Sequence, residues 1–157
     1  MRNKHLYQNL CILVDTEVFC FLVLGFGRLS GRGPTARILQ HAMLPIVDSH
    51  ECETLLNTHL IGYPHIPITR GMVCAGHGTD DIRSACMGDS GGPLVCQQPD
   101  GRWVLEGAVS FGNHKCETQY SYSVFVRMSN YVDWIDAKVN PKPDIPPAHP
   151  MEFMPGL

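Results

Sequence analysis

The sequence lacks three features that would point to common classes of protein. It has no apolar run of the ~20 residues that a transmembrane helix needs, so no membrane partner is expected. It has no basic surplus, since its net charge is -3, and so it shows no electrostatic footprint for nucleic acid. It has no Cys-x-x-Cys pair and no metal-ligand spacing among its eight histidines, so neither a metal nor another cofactor is expected.

The composition is that of a globular protein that forms disulfides. Apolar residues make up 44% of the 157 positions and charged residues 17%, which fits one domain with a real core. The seven cysteines favour disulfides and therefore an oxidising, extracellular compartment, as in a secreted protein. Their number is odd, so one thiol stays free or pairs with another chain, and composition leaves the connectivity open.

One short segment, residues 86–93, has the pattern of a catalytic loop. It reads Cys-Met-Gly-Asp-Ser-Gly-Gly-Pro, with Ser90 framed by glycines. Glycines let the backbone turn tightly and let a substrate approach closely. The amides of Gly88 and Ser90 would then stabilise a developing oxyanion. This pattern predicts that Ser90 is a nucleophile, which requires a general base within hydrogen-bond reach.

The two ends of the chain differ from its middle. Basic residues and the apolar residues 10–14 give the start a signal-like character, but Asp15 and Glu17 interrupt it and no cleavage site is clear. The proline-rich residues 141–157 are predicted to form a loose tail.

Between these ends, apolar runs separated by turn residues predict many short strands. The predicted strands are residues 18–25, 38–47, 72–75, 94–97, 103–105, 107–111 and 123–128. Pro45 suits an edge or a bulge, and residues 98–101 suit a hairpin turn. The pattern is typical of a mostly antiparallel β-barrel or sandwich.

Two helices are predicted beside these strands. Asp48 and Glu51 resemble a capping box at the start of a short helix that ends near Leu56. Ser129 is predicted to cap a final helix that stops before Pro141. The helical spacing predicts that one face of this final helix docks on the body through Tyr131, Trp134 and Ile135.

Six motifs in order resemble the C-terminal half of a chymotrypsin-like serine protease. They are Cys20 with Gly25-Phe26-Gly27, Leu44-Pro45-Ile46-Val47, Met72-Val73-Cys74-Ala75-Gly76, the loop 88–93, Val109-Ser110-Phe111-Gly112, and residues 124–135. Residues 81–84 and 123–125 are most similar to the elastase branch. The resemblance implies a six-stranded antiparallel β-barrel with a short internal helix and a C-terminal helix, without the N-terminal barrel. It divides the chain into an unmatched segment 1–17, a half protease domain 18–139 and a tail 140–157.

The resemblance also implies which cysteines are paired. The implied disulfides are Cys20–Cys96, Cys52–Cys74 and Cys86–Cys116. Cys11 is then left over, either as a free thiol or as a link to an upstream propeptide or chain.

The resemblance further implies roles for residues around the loop. Ser90 is the nucleophile, and Gly88 gives the second oxyanion amide. Ser84 lies at the base of the specificity pocket, where a neutral hydroxyl does not attract a cationic side chain. The pocket walls are Gly112 and Ser123, which together suggest medium to large apolar residues before the cut. The segment from Ser110 through Phe111 to Gly112 would pair with the substrate as an added strand.

Two parts of the family's machinery are absent from the sequence. The family takes its base and the orienting acid from the first barrel, and neither motif occurs here. His5 and Asp15 precede Ser90 in the family's order but lack the intervening strands that would place them. The family also pairs a newly cut N-terminus with the acid before the nucleophile, here Asp89. Without that amine, Asp89 is expected to be unpaired, and the oxyanion amides are expected to be misaimed.

Two functions follow from these residues. The first is a serine endopeptidase acting through an acyl-enzyme on Ser90, with this chain a truncated and inactive form. The alternative is a non-catalytic homologue that binds peptides or protease inhibitors. The partners expected are a peptide or protein substrate, an inhibitor, and a missing N-terminal barrel or propeptide joined through Cys11.

Overall fold

The computed structural model of the chain describes residues 21–59, 64–78, 82–116 and 122–141, apart from the side chain of His59. Two helices and a 3₁₀ turn, Met128–Tyr131, accompany seven strands. The strands are β1 Phe21–Gly25, β2 Gln40–Leu44, β3 Ile46–Val47, β4 Met72–Ala75, β5 Pro93–Gln97, β6 Trp103–Phe111 and β7 Ser123–Arg127. The helices are α1 Ser49–His59 and α2 Val132–Val139.

The strands form one antiparallel sheet that curls back on itself. Their order is β2-β1-β5-β6-β7-β4-β3, and only Pro45 separates the two terminal strands. Leu44 pairs with β1, whereas Ile46 pairs with β4 on the other side. Proline has no amide hydrogen to donate, so it fits the point where the chain changes partner. The predicted fold class, mostly β with an antiparallel sheet, is confirmed.

The barrel interior holds the main hydrophobic core. It consists of Phe21, Val23, Leu44, Val73, Ala75, Leu94, Cys96, Val109 and Phe125. Fully buried Phe125 is the largest of these, and truncating such a side chain to Ala typically costs about 3–5 kcal/mol. Its neighbour Val124 points outward into a second cluster beneath α1. Strand β7 is therefore buried on both faces, which explains its continuous apolar sequence.

Helix α1 begins as the sequence predicts. An Asp48 carboxylate oxygen accepts the amides of His50 and Glu51, at 2.8 and 3.2 Å, and so satisfies two of the unpaired donors of the first turn. These backbone hydrogen bonds hold the pKa of Asp48 below its usual value. The Glu51 side chain does not complete the capping box, because its carboxylate accepts a hydrogen bond from Tyr122.

Strand β6 differs from the sequence prediction, which divided it into two strands. Leu94 pairs with Gly107, and Val95 pairs with Leu105, so Glu106 is an extra residue in a β-bulge. A second bulge at Ser110 lies between the pairs Val109–Phe125 and Phe111–Val124. Bulges interrupt the alternation that marks a strand in a sequence without ending the strand.

The prediction for the final helix was wrong in two respects. Ser129 lies inside the 3₁₀ turn, and α2 begins after Tyr131 without a side-chain cap. The helix also does not dock through its apolar face: Trp134 is 63% exposed and Ile135 37%. What holds this end in place is polar, since the Asn130 side-chain amide donates to the carbonyl of Arg70 at 2.9 Å.

Candidate active site

Two glycines allow the tight turn of the loop around Ser90, and backbone hydrogen bonds join this loop to β6. Gly88 and Gly91 have φ of 100° and 79°, in the left-handed region that favours glycine. The amide of Gly91 donates to the carbonyl of Val109, and the amide of Val109 donates to the carbonyl of Gly92, both at 2.9 Å. These bonds leave Ser90 exposed beside the end of β6.

Two amides in this loop point at no internal acceptor. Within the described ranges, the backbone N–H groups of Gly88 and Ser90 donate to no carbonyl or side chain. Both residues are exposed, so water or a ligand can satisfy the two donors. Free amides flanking a nucleophile are the groups from which an oxyanion site is made.

Asp89 is half-buried and bonded through both carboxylate oxygens. Oδ1 accepts the amide of Gly27 at 2.7 Å, and Oδ2 accepts the amide of Cys86 at 2.9 Å. No Lys or Arg among the described residues forms an ion pair with it. The sequence predicted a carboxylate without its cationic partner. Hydrogen bonds from two backbone amides offset part of the cost of its burial.

A cavity of about 220 Å³ adjoins Ser90 and contains most of the predicted substrate residues. Ser90, Ser110, Phe111 and Gly112 all line it. The bulge at Ser110 leaves that residue exposed at the cavity edge. The loop and the end of β6 therefore form one concave site, although they lie about twenty residues apart in the chain.

The other two predicted pocket residues lie differently. Ser123 is buried directly behind Gly112: a Cβ added to Gly112 would lie 3.5 Å from the Cα of Ser123. Ser84 does not line the cavity beside Ser90. It lines a separate cavity of about 250 Å³ together with Asp89, and its hydroxyl donates to the carbonyl of Ala85 at 3.0 Å.

Two of the three implied disulfides fall within the described residues, and both are present. Cys86–Cys116 joins the Ser90 loop to the segment after β6, and Cys52–Cys74 joins α1 to β4. Cys96 is disulfide-bonded. Its implied partner Cys20 lies outside the described residues, as does Cys11, so that pairing stays a prediction.

The cavity also contains a histidine that sequence reasoning missed. His114 lines it together with Ser90, and no spacing in the sequence singles His114 out. Among the described residues, no carboxylate is hydrogen-bonded to its ring, so it lacks the orienting acid of a catalytic triad. The predicted alternatives His5 and Asp15 lie outside the described residues.

None of the helices among the described residues is long and apolar enough to cross a membrane. No three side chains of His, Cys, Asp or Glu converge in this part of the chain in a way that would hold a metal ion.

Comparison with known proteins agrees with this geometry. The sequence profile of the trypsin family, described as "Trypsin", matches residues 15–135. Chymotrypsin-C of Rattus norvegicus is 44% identical over 128 residues, which are 81% of this chain and 44% of that protein. Chymotrypsin-like elastase family member 3B of Macaca mulatta and proproteinase E of Bos taurus are each 39% identical over the same share of the chain. The chain spans less than half the length of these relatives, from 44% to 47%.

Proposed function

The chain belongs to the trypsin family of serine proteases, and from this we propose that it carries the nucleophile half of a secreted serine endopeptidase. The observation that carries the proposal is the single cavity shared by exposed Ser90 and the segment from Ser110 to Gly112. A peptide lying along that segment would present a carbonyl carbon to the Ser90 hydroxyl.

The proposed reaction is hydrolysis through an acyl-enzyme. The Ser90 oxygen attacks the peptide carbonyl carbon while a base takes the hydroxyl proton, and the resulting oxyanion accepts hydrogen bonds from the amides of Gly88 and Ser90. The C–N bond breaks as the protonated base returns the proton to the amine. Water then hydrolyses the ester by the same steps and restores Ser90.

The base is proposed to come from polypeptide outside the described residues. The relatives are more than twice as long as the part that the chain matches, and the described residues place no histidine–carboxylate pair beside Ser90. The missing portion would contribute the base and its acid, either in one polypeptide or as a separate chain joined through Cys11. The two disulfides support a secreted location, because such bonds persist in oxidising compartments.

The proposed substrate preference is for medium to large apolar residues before the cut. Gly112 leaves room at the cavity wall, and the aromatic Phe111 lines it. Asp89 is the only Asp or Glu among the described residues of the Ser90 loop, and it is turned toward Gly27 rather than into this cavity. A cationic substrate side chain would therefore find no carboxylate among the described residues that line this cavity.

Labelling with a fluorophosphonate probe tests the proposal. The chain is refolded alone and together with the part of rat chymotrypsin-C that it does not span. The Ser90→Ala variant is the control that shows whether any labelling is at Ser90. We expect labelling of Ser90 in the mixture and very little in the chain alone. Failure of Ser90 to label in the mixture, while intact rat chymotrypsin-C labels normally, would count against the proposal. Rapid labelling of the chain alone would place the base within it, and His114→Gln would then identify or exclude His114.

A second candidate function rests on the same cavity. A site with exposed strand residues and, among the described residues, no histidine–carboxylate pair suits a non-catalytic module that binds peptides or protease inhibitors. This function predicts that Ser90→Ala leaves peptide affinity unchanged in a fluorescence polarisation assay. A large loss of affinity would argue against a purely non-catalytic role.

A further inference from the structure

A hydrogen bond between a buried phenol and an exposed carboxylate joins helix α1 to the residue that precedes the predicted pocket wall. The Tyr122 hydroxyl donates to Glu51 Oε1 at 2.6 Å across 71 residues of sequence. Tyr122 is only 5% exposed. Hydrogen bonds with an ionised partner are shorter and stronger than neutral ones, so this contact is expected to constrain both residues.

The hydrogen bond completes a closed set of contacts that links α1, β4 and the start of β7. Glu51 is followed by Cys52, whose disulfide reaches Cys74 in β4. Cys74 is paired with Val124 in β7, two residues beyond Tyr122. Covalent bonds, a strand pairing and one phenol thus hold the start of β7 against α1.

The backbone held in this way lies directly behind Gly112, which lines the substrate cavity. A Cβ added to Gly112 would lie 3.5 Å from both the carbonyl oxygen of Tyr122 and the Cα of Ser123. Any shift of that backbone therefore moves the support of Gly112, which lines the cavity beside Ser90.

The phenol also occupies space that a neighbouring loop leaves for it. A Cβ added to Gly78 would meet the Tyr122 hydroxyl oxygen at 2.9 Å, and Gly78 has a φ of 80°. Burial and the Glu51 carboxylate raise the pKa of Tyr122 to about 12. The hydroxyl therefore keeps its proton, and its role as a donor, throughout the physiological pH range.

We propose that Tyr122 is a positioning residue for the substrate pocket: its hydrogen bond to Glu51 fixes the backbone behind Gly112 and so sets the apolar side-chain size that the cavity accepts. This inference rests on the proposed function. It adds two residues, Tyr122 and Glu51, that neither line the cavity beside Ser90 nor belong to the six motifs of the family resemblance.

Four variants separate this role from general stabilisation. Tyr122→Phe removes only the hydroxyl, and Glu51→Ala removes the acceptor. Glu51→Gln keeps an acceptor oxygen and is the conservative rescue. The matched control is Asn57→Ala, which breaks the hydrogen bonds between α1 and Ile66 without touching Tyr122.

The first readout does not depend on activity. Amide hydrogen exchange is followed by NMR at Ser123 and Val124, which pair with Ala75 and Phe111 in the sheet. Losing a hydrogen bond worth about 0.5–1.5 kcal/mol is expected to speed local opening about threefold or more in Tyr122→Phe and Glu51→Ala. Glu51→Gln is expected to lie nearer the wild type, and Asn57→Ala to leave both amides unchanged. Unchanged exchange in Tyr122→Phe would overturn the proposal.

The second readout is substrate specificity. It is measured in the mixture with the part of rat chymotrypsin-C that this chain does not span. Labelling rates are compared for peptidyl phosphonates that carry the side chain of Ala, Leu or Phe. We expect the ratio of the Phe to the Ala rate to change about threefold or more in Tyr122→Phe and to stay constant in Asn57→Ala. An equal fall in all three rates would show a purely structural role and overturn the proposal. If no variant labels while Tyr122→Phe still speeds exchange, the proposed function fails and the coupling of Tyr122 to the cavity wall stands.

Discussion

At the scale of single residues, the site depends on two glycines, because a Cβ atom at either position would collide with Asp89. Asp89 can reach the amide of Gly27 only because Gly25 and Gly27 have no side chains. A Cβ on Gly25 would fall 1.8 Å from Asp89 Oδ1, and one on Gly27 would lie 2.5 Å from the same oxygen. The Gly-Phe-Gly turn thus helps to hold the Ser90 loop in place through Asp89, although 62 residues separate Gly27 from Asp89.

Gly25→Ala is therefore expected to lower the free energy of unfolding by about 2–4 kcal/mol, from overpacking together with loss of the Asp89–Gly27 hydrogen bond. Urea unfolding measures the effect. Gly101→Ala is the control, since its φ is 85° but its Cβ would meet nothing within 4 Å, so only backbone strain of about 1 kcal/mol applies. In an Asp89→Ala background the extra cost at Gly25 should largely disappear. Equal costs at Gly25 and Gly101 would contradict this account.

Glu106, the extra residue of the first bulge, gives a prediction for pH. Burial raises the pKa of its carboxyl, against a smaller opposing attraction from Arg127. A raised pKa in the fold means that ionisation destabilises the protein as pH rises through the folded value. Glu106→Gln is therefore expected to be more stable than the wild type at pH 7 and no more stable at pH 3, in urea unfolding.

Asp100 is expected to change stability with pH in the direction opposite to Glu106. Hydrogen bonds from Arg102 hold the pKa of Asp100 below its usual value, so its ionised form is favoured in the fold. Asp100→Asn should lose stability at pH 7, and the difference should shrink as pH falls through the folded pKa. The same sign of effect in both variants would contradict the assignment.

At the scale of helices and strands, the sequence predicts the conformation and the buried face that a segment favours, but not the element that packs against it. Pro45 predicts an interruption, yet only the pairing shows that the chain changes partner there. The apolar spacing of α2 predicts a face that favours burial, but Trp134 stays 63% exposed because no described element lies against it. Periodicity carries no information about a partner.

The candidate site was predictable to a similar extent. Ser90, Ser110 and Gly112 come together in one cavity, as the motif order implies. Tyr122 was missed because its partner Glu51 lies 71 residues away, and Glu51 itself fits a capping box in the sequence. Long-range hydrogen bonds between single side chains leave no pattern in a sequence, whereas loops rich in glycine do.

The two disulfides are expected to have similar effects on stability and different effects on the site. They close loops of 22 and 30 residues, so replacing either pair by Ala should cost about 3–4 kcal/mol in urea unfolding. Only Cys86–Cys116 bounds the cavity beside Ser90. Removing it should speed exchange of the Asp89 and Gly91 amides, which donate to the carbonyls of Cys86 and Val109, and removing Cys52–Cys74 should not. Equal exchange in both variants would show that β6 alone holds the loop.

At the scale of the whole molecule, the barrel exposes an apolar row on its outside. Met43 pairs with Leu22, Leu22 with Val95, and Val95 with Leu105, so four outward side chains line up across β2, β1, β5 and β6. Met43 and Leu105 are each 48% exposed. Contiguous apolar surface of this kind marks a contact with other polypeptide. Under the proposed function, we expect this row to contact the portion of the relatives that the chain does not span.

Leu105→Lys tests that assignment because it places a charge at one end of the row. If the missing portion packs on the row, burying an unpaired ammonium should reduce Ser90 labelling in the mixture with rat chymotrypsin-C by more than about tenfold. Ile38→Lys is the matched control, since Ile38 is 76% exposed and lies outside every strand. Both variants should unfold at the urea concentration of the wild type, because each changes an exposed side chain. Equal labelling in Leu105→Lys and Ile38→Lys would show that the row is not the contact, and that the base reaches Ser90 from another side.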